Sequence, residues 1–439
     1  MAIKVGMVSL GCAKNQVDGE MLMANLKNAG FELCDDAALA DVAIVNTCGF
    51  IDSAKQESID EILELATLKK EGRIKKIVVT GCLAERYREE IHKELPEVDG
   101  VFGIGANADI AACIESAMND FTESFPEKSK MPLCGERELS TPSYFAYIKI
   151  AEGCDNKCTY CAIPMIRGGY RSTMESIEEE ARGLVENGAK ELILIAQDTT
   201  RYGIDLYGEY SLAKLMRRLC KIDGLKWLRV LYCYPDALTD ELLETMAEEE
   251  KIVKYIDLPL QHASARVLKR MNRTGDRESL TALMKKIREK IPGVTLRTTL
   301  ITGFPGETEE EFTELAEFVK DIEFERLGCF AYSQEEGTPA ALMPDQIDDE
   351  VKNHRAEIIM ESQMNIMDRL GEKQVGGDIT VLTEGFDRYA ECWFGRSAMD
   401  APDIDGKVFF SAETKPYYGE MVTVHVDEAI DGDLFGTRV

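Results

Sequence analysis

The stretch Gly153-Cys154-Asp155-Asn156-Lys157-Cys158-Thr159-Tyr160-Cys161 places three thiols within eight residues, with the spacing C-x3-C-x2-C, directly after a predicted strand. Structural zinc usually takes four protein ligands, and the four histidines lie far from this stretch, at His92, His262, His354 and His425. Three thiolates on a tight loop instead suit three corners of a [4Fe–4S] cluster, whose usual full set is four cysteines. The fourth iron is then open to a ligand from outside the protein, as in reactive metal sites. The alternative interpretation is three buried cysteines without a metal.

A second set of cysteines is dispersed along the first part of the chain. Cys12, Cys48 and Cys82 each follow a predicted strand. In an open parallel sheet the crevice lies beyond the carboxyl ends of the strands, so these three thiols are expected to converge there. The glycine beside each cysteine would let the backbone approach a bulky inorganic group. The pattern predicts a second cluster with three protein ligands and an open iron; the alternative is ordinary small residues at strand ends.

The composition is that of an acidic globular protein. The chain has 439 residues with 51 basic and 80 acidic side chains, a net charge of −29. At roughly 150 residues per domain this length suggests about three domains. The acidic balance weighs against binding nucleic acid by broad phosphate neutralisation, which needs a basic face. It fits a basic partner, or it serves solubility alone.

The cysteine count bears on the cellular compartment. We find neither a signal peptide nor a run of 18 apolar residues, so no membrane contact is expected and the cytoplasm is the predicted location. In such a reducing compartment, 13 cysteines are not a disulfide framework. They are expected to be buried, catalytic or metal-bound.

The order of strands and helices predicts an α/β protein of three domains. Residues 1–120 alternate strands and helices, typical of a doubly wound α/β domain with a mostly parallel sheet; strands are predicted at 4–10, 42–47, 77–80 and 98–104, and helices at 18–29, 52–70 and 83–95. Residues 121–142 are a polar, proline-containing linker. Residues 143–371 contain six β/α units, which suits an incomplete (β/α)6 barrel, since a closed barrel normally has eight; strands are predicted at 144–150, 190–197, 227–233, 254–260, 294–302 and 326–332.

The last segment, 372–439, changes character. Helical periodicity disappears after a predicted connecting helix at 348–370, and short strand-like runs separated by Asp-Gly turns follow at 378–382, 407–410 and 421–426. This pattern predicts a small antiparallel β-barrel. The segment holds 14 acidic and 6 basic residues, so its net charge is 6 − 14 = −8.

The C-x3-C-x2-C loop at the start of an incomplete barrel resembles the radical S-adenosylmethionine (SAM) superfamily. The resemblance implies that the open iron chelates the amino and carboxyl groups of SAM. It places Tyr160 against the adenine, where core packing is the alternative, and Gly303 near the adenosine, where a simple β-to-α turn is the alternative. The family's usual Gly-Gly-Glu is replaced here by Ala196-Gln197-Asp198-Thr199. Gln197 and Asp198 are accordingly assigned to the methionine end of SAM, with ordinary strand-end polar residues as the alternative.

Nearly the whole chain resembles the methylthiotransferases, which combine a three-cysteine N-terminal domain, a radical SAM core and a C-terminal TRAM barrel. The resemblance implies two [4Fe–4S] clusters, one held by Cys12, Cys48 and Cys82 and the other by Cys154, Cys158 and Cys161. One branch of this family modifies an adenosine in transfer RNA. The other, the RimO type, modifies the β-carbon of an aspartate in small-subunit ribosomal protein S-twelve. Ser9-Leu10-Gly11-Cys12-Ala13-Lys14-Asn15-Gln16-Val17-Asp18-Gly19-Glu20 and Asp400-Ala401-Pro402-Asp403-Ile404-Asp405-Gly406 resemble the second branch, with Ala13 where that branch often has proline.

Charge favours the same branch. A TRAM barrel that grips RNA should be basic, whereas an acidic barrel would attract a basic ribosomal protein. An acidic, solvated surface without a recognition role is the alternative. The family further implies an electron donor such as flavodoxin or ferredoxin, and hydrogen abstraction from the aspartate β-carbon by a radical derived from SAM. The cofactors carry this chemistry, so no catalytic side chain is assigned.

Three further residues are candidates for the site. Arg167 and Arg171 follow the cysteine loop and would either bind a carboxylate of substrate or SAM or pair with nearby acids. Ser172 and Glu175 are a possible capping box for the next helix. His262 ends a barrel strand on the predicted active face, with a structural role slightly favoured over a catalytic one. The rival functions are the transfer-RNA branch, a non-enzymatic iron–sulfur electron carrier and a zinc-binding adaptor.

Overall fold

The computed structural model describes residues 2–173 and 176–439. Its first part is a six-stranded sheet in the order β2-β1-β3-β4-β5-β6, in which every neighbouring pair is parallel. Its strands are β1 Lys4–Ser9, β2 Glu32–Cys34, β3 Val42–Thr47, β4 Lys76–Gly81, β5 Gly100–Phe102 and β6 Thr122–Ser124. Its helices are α1 Ala13–Asn28, α2 Asp52–Lys70, α3 Cys82–Arg86, α4 Arg88–Glu94 and α5 Ile110–Ala117. The central strand β3 is buried at every position, as expected when helices cover both faces of a sheet.

Several details differ from the sequence predictions for this part. Strand β2 and helix α5 were not predicted, and α1 begins at Ala13 rather than at residue 18. The helix predicted at 83–95 is two helices, because the backbone leaves helical geometry at Tyr87, where φ is −129° and ψ is 39°. The sheet also continues past residue 120, since Thr122–Ser124 pairs with β5. The division of the chain at 120, 142 and 371 stays a prediction.

The second part forms the predicted incomplete barrel of six main parallel strands. Two three-stranded parallel sheets, β7-β10-β11 and β12-β13-β14, follow one another in chain order. A bridge between Leu228 and Ile252, and a bond from the Cys233 amide to the Asp257 carbonyl at 3.0 Å, join them. The strands are β7 Phe145–Lys149, β8 Ala151–Glu152, β9 Arg171–Ser172, β10 Glu191–Ile195, β11 Trp227–Val230, β12 Tyr255–Asp257, β13 Thr295–Thr302 and β14 Arg326–Ala331, with β8 and β9 forming a separate short antiparallel pair.

Helices connect these strands. They are α6 Ile163–Arg167, α7 Ser176–Glu186, α8 Ile204–Tyr207, α9 Leu212–Leu219, α10 Asp240–Glu248, α11 Ala265–Arg270, α12 Arg277–Lys290, α13 Glu309–Ile322 and α14 Asp349–Glu372. The last of these lies where the connecting helix was predicted. Helix α6, which follows the cysteine loop, packs against α3 of the first part. Of the helices in the described part of the chain, none combines the length and apolar composition that crossing a bilayer requires.

The third part is a closed five-stranded barrel in the order β15-β16-β17-β19-β18. Its strands are β15 Asp378–Asp387, β16 Cys392–Ser397, β17 Val408–Ser411, β18 Met421–Ile430 and β19 Asp433–Arg438. The sequence analysis predicted neither β16 nor β19. The barrel closes through a parallel pairing of β17 with β19, while its other pairings are antiparallel.

One apolar cluster belongs to all three parts at once. Val17 and Met21 of α1 pack with Ile193 and Ile195 of the central barrel, and Leu382 of the small barrel joins the same cluster. Burial of apolar surface therefore docks the parts on one another as well as folding each of them.

Buried ion pairs fix the small barrel on the central one. Glu191 of β10 accepts from Arg229 at 2.7 Å and from Arg396 of β16 at 2.8 Å, and all three side chains are almost fully buried. Asp400 binds Arg326 at 2.5 Å, and Asp405 accepts from the Tyr255 hydroxyl at 2.6 Å. Two carboxylates of the 400–406 stretch therefore hold the domain in place.

Replacing Glu191 tests this contact. The change Glu191→Gln removes the only carboxylate that the structure pairs with Arg229 among the described residues and one of the two that pair with Arg396, which keeps Glu384. We expect a loss of about 3–5 kcal/mol in the free energy of unfolding. Burial would raise the pKa of Glu191, but Arg396 and Arg229 more than offset it, so the folded-state pKa is lowered. The stabilisation is thus present above the unfolded pKa of the carboxyl and is lost as pH falls.

Urea denaturation at pH 7 and at pH 4 measures both effects. The deficit of the variant should be smaller at pH 4 than at pH 7. Lys214→Met is the control, because its pair with Glu209 is about half exposed and should contribute under about 1 kcal/mol. Equal stability of Glu191→Gln and wild type at pH 7 would contradict the role of this contact.

Candidate active site

Both sets of cysteines line a single cavity of about 300 Å³. The six cysteines of the two sets, Cys12, Cys48, Cys82, Cys154, Cys158 and Cys161, line it together with Cys233. None of them is in a disulfide. The structure therefore brings the carboxyl-end edge of the first sheet to the mouth of the barrel.

The thiols of the first set come from three adjacent strands. Cys12 follows β1, Cys48 follows β3 and Cys82 follows β4, so the parallel order of the sheet places them side by side. Gly11 has φ +88°, and a Cβ atom there would lie 2.7 Å from Cys48 Cβ and 2.8 Å from its Sγ. This glycine therefore makes room for the neighbouring cysteine.

Asn15 ties the same strand ends together. Its side-chain amide donates to the carbonyls of Leu10 at 2.8 Å, Asn46 at 3.2 Å and Thr47 at 3.3 Å. The side chain is almost completely buried. Sequence reasoning had given Asn15 no role, since nothing local shows that it faces the ends of two distant strands.

The loop of the second set is held from the opposite side by the segment after α11. Thr159 donates from its amide to Met271 O at 3.0 Å and from its hydroxyl to Arg270 O at 2.9 Å. The Asn272 amide donates to Lys157 O at 2.8 Å. These bonds fix the backbone that carries the cysteines.

Arg273 is a residue of this cavity that the sequence analysis missed. Its guanidinium donates to the Tyr160 hydroxyl at 3.4 Å and to Pro259 O at 2.7 Å, and it lies over the Tyr234 ring at 4.4 Å. It also lies 3.9 Å from Cys158 Sγ. A cation is thereby fixed beside a thiol of the loop.

The residues assigned to SAM from the sequence fall in two groups. Tyr160 and Gln197 line the cavity. Asp198 is buried and accepts from Asn156 at 2.7 Å, so it braces the cysteine loop from behind. Gly303 is not among the residues that line the cavity. Its φ of +68° favours glycine, and a Cβ atom there would overlap with Lys352 Cγ, so packing alone explains this glycine. The roles of these four residues toward SAM stay predictions.

Arg167 connects the two domains. It is fully buried, pairs with Asp18 of α1 and with Glu152 at 3.3 Å, and donates to Cys82 Sγ at 3.2 Å. Lys149 pairs with the same two carboxylates. The group holds two cations and two carboxylates and is therefore neutral.

The other candidates have structural contacts. Arg171 donates to the carbonyls of Met131 and Lys128. Ser172 bonds Asp205 at 2.6 Å, and Glu175 lies outside the described residues. His262 is buried, accepts from the Ser264 amide at 2.9 Å and faces Glu307 at 3.3 Å.

The donor set fits an iron–sulfur cofactor. Burial raises the pKa of Cys82 to about 12 and that of Cys161 to about 12. A metal must replace these protons, and soft thiolates suit iron–sulfur clusters. Arg167 Nε is buried without a partner among the described residues, which leaves a donor for a group bound here. Among the described residues, no three histidine, cysteine, aspartate or glutamate side chains lie close enough together to bind a single metal ion. An iron–sulfur cluster is larger than one ion and fills the space between ligands that lie further apart.

A barrel of six parallel strands, three cysteines on the loop at its mouth and a second cysteine-bearing domain facing them define an enzyme of the radical SAM class. Family models match in the same order: "Uncharacterized protein family UPF0004" over residues 4–103, "Radical SAM superfamily" over 148–319 and "TRAM domain" over 375–439. As a radical SAM protein, the chain uses an iron–sulfur cluster and SAM.

Two curated relatives are similar over their full length. The ribosomal protein uS12 methylthiotransferase RimO of Desulforamulus reducens is 48% identical over 98% of each chain. That of Lachnoclostridium phytofermentans is 49% identical over 99% of this chain and 100% of the relative. The chain belongs to the RimO family of methylthiotransferases, which confirms the family expected from the sequence.

A solved structure supports the fold. The radical SAM methyltransferase TsrM from Kitasatospora setae, solved with cobalamin and a [4Fe–4S] cluster bound, matches with a TM-score of 0.59 and 15% identity. The match covers 78% of this chain and 77% of that one.

Removing the charge of Arg167 should weaken the docking of the first domain on the barrel. Arg167→Met leaves Asp18 and Glu152 with one cation, and we expect a loss of about 3–5 kcal/mol in the free energy of unfolding. Denaturant unfolding measures this loss. Arg182→Met, which removes an exposed pair with Glu178, is the control and should change the stability by under about 1 kcal/mol. The same small change in both variants would contradict the assignment.

Proposed function

We propose that this protein adds a methylthio group to the β-carbon of an aspartate in small-subunit ribosomal protein uS12. The single observation that carries the proposal is the cavity shared by the two cysteine sets. A reaction that joins a sulfur-bearing group to an unactivated carbon needs both partners within one enclosed space. The names of the full-length relatives support uS12 as the substrate.

We propose two [4Fe–4S] clusters as the cofactors of the site. Cys154, Cys158 and Cys161 hold the cluster that binds SAM; Cys12, Cys48 and Cys82 hold the other. When bound, SAM at a cluster supplies the radical chemistry that breaks a C–H bond which acid–base side chains cannot readily break.

The side chains around the cysteines orient the cofactors and exclude water. Tyr160 and Gln197 line the space that SAM would occupy. Arg273 fixes the Tyr160 hydroxyl. Arg167 donates to a ligand of the N-terminal cluster, and hydrogen bonds to cluster sulfurs are one of the means by which proteins set reduction potentials.

The small barrel is proposed as a docking surface for the basic ribosomal protein. Some of its acids face inward in ion pairs, as Asp400 does. Residues 372–439 still expose eight acidic and four basic side chains, a net charge of 4 − 8 = −4. Such a surface attracts a basic partner and repels RNA. We also propose the cytoplasm as the location and flavodoxin or ferredoxin as the electron donor.

Anaerobic turnover tests the proposed substrate. Protein reconstituted with iron and sulfide is reduced and given SAM with either a peptide from the uS12 loop or precursor transfer RNA. Mass spectrometry should find a methylthio group on the peptide aspartate alone. Modification of the RNA alone would show that the substrate is transfer RNA, as in the other branch of the family. Reduced protein that forms no 5′-deoxyadenosine with either substrate would contradict the enzymatic proposal in favour of an electron carrier.

Counting iron tests the two-cluster proposal. The reconstituted wild type should bind about eight irons per chain, and either triple cysteine-to-alanine variant should bind about four. Iron and sulfide analysis measures this, with Cys34→Ala as the control, because Cys34 pairs with Gly6 in β1 and is not among the residues that line the cavity. A Cys12/Cys48/Cys82→Ala variant that keeps all its iron would refute the second cluster. Zinc without sulfide in anaerobically purified protein would favour the adaptor.

A further inference from the structure

Lys14 is a buried cation of the cavity that has no carboxylate partner among the described residues. Arg273 has no such partner either, but its guanidinium donates hydrogen bonds to Tyr160 and to Pro259 O. Lys14 lies in the first turn of α1, only 5% exposed, and lines the cavity with the cysteines. Among the described residues, its ammonium has neither an ion pair nor a hydrogen bond. The neighbouring cations Lys149 and Arg167 share two carboxylates. Because a buried charge without an ion pair is costly, Lys14 favours the binding of an anion in the cavity.

An aromatic ring from the other domain holds the ammonium in place. Lys14 Nζ lies 3.4 Å from the centre of the Tyr232 ring, which follows barrel strand β11. A ring face attracts the cation but leaves its N–H donors free. The charge therefore lies where the N-terminal domain meets the barrel mouth.

The backbone of Tyr232 is constrained to provide this ring. Its φ is +61°, a left-handed conformation that is unfavourable for a residue with a bulky side chain. Asp257 accepts from its amide at 2.8 Å, and its carbonyl accepts from the Thr199 amide at 3.0 Å. Backbone strain that the surroundings maintain is typical of functional sites.

We propose that Lys14 binds the side-chain carboxylate of the substrate aspartate. This proposal rests on the proposed function. The aspartate β-carbon is bonded directly to the carboxyl carbon, so a cation that holds the carboxylate also fixes the carbon that reacts. On the side of the cavity that carries the thiols, Arg167 already donates a hydrogen bond to Cys82 Sγ at 3.2 Å. Lys14 thus selects a residue that carries a negative charge.

Two peptides and two variants test this role. The peptides carry the uS12 loop with either aspartate or asparagine, which has nearly the same shape but no charge, at the target position. With reconstituted wild type and SAM, asparagine should weaken Kd by roughly ten- to a hundredfold, the range for a hydrogen bond to a charged group. Lys14→Met should weaken binding of the aspartate peptide by the same factor and should bind both peptides equally.

Fluorescence anisotropy measures Kd, and the rate of methylthio product formation gives KM and kcat for each combination of enzyme and peptide. Lys14→Arg keeps the cation and should keep the preference for aspartate. Lys27→Met is the matched control on the same helix, because Lys27 is exposed and pairs with Glu138. Iron and sulfide content and the electron paramagnetic resonance signals establish that the clusters of each variant are intact.

The outcomes separate the two proposals. Wild type that binds and modifies both peptides equally would overturn the role of Lys14 and leave the proposed function standing, even if Lys14→Met does not fold. A Lys14→Met variant that keeps the full preference for aspartate would do the same. Wild type that does not modify the aspartate peptide at all would overturn both.

Discussion

The architecture depends on the buried ion pairs between α1 and the mouth of the barrel. Asp18, Lys149, Glu152 and Arg167 carry two positive and two negative charges and are almost inaccessible to solvent. Removing ions from water is costly, and this arrangement gives each buried charge a partner. A displaced domain would leave these charges unpaired, so the network favours one docked orientation in which Cys82 faces the barrel.

The parallel strands of the first two parts could be predicted because they are buried on both faces. Strands β3 and β10 each contain four consecutive apolar residues, at 42–45 and 192–195, which are recognisable without knowledge of their neighbours. The small barrel was harder to predict. Strand β16 contains a glycine and an arginine among its six residues. The buried arginine, Arg396, is paired with Glu191 of the central barrel and with Glu384 of the neighbouring strand β15. The parallel pairing of β17 with β19, which closes the barrel, could not be predicted either, because it joins two strands that are not consecutive in the chain.

The cysteines of the candidate site could be predicted for two different reasons. Those of the barrel loop have a local spacing, and those of the first domain share a position after a strand. Lys14, Asn15 and Arg273 could not be predicted in the same way. Their importance comes from partners remote in sequence, as Tyr232 is for Lys14 and Tyr160 for Arg273. Gly303 shows the converse, because a glycine that suggested a cofactor contact has a sufficient explanation in the packing of Lys352.

The contact between Gly11 and Cys48 also limits how this sequence can change over time. A single added methyl group at position 11 would occupy the space of a cysteine carried by a different strand. Drift at either loop is therefore tied to the other, although 37 positions separate them along the chain. A recombination event that brought in a loop with a larger residue at position 11 would therefore need a compensating change around position 48.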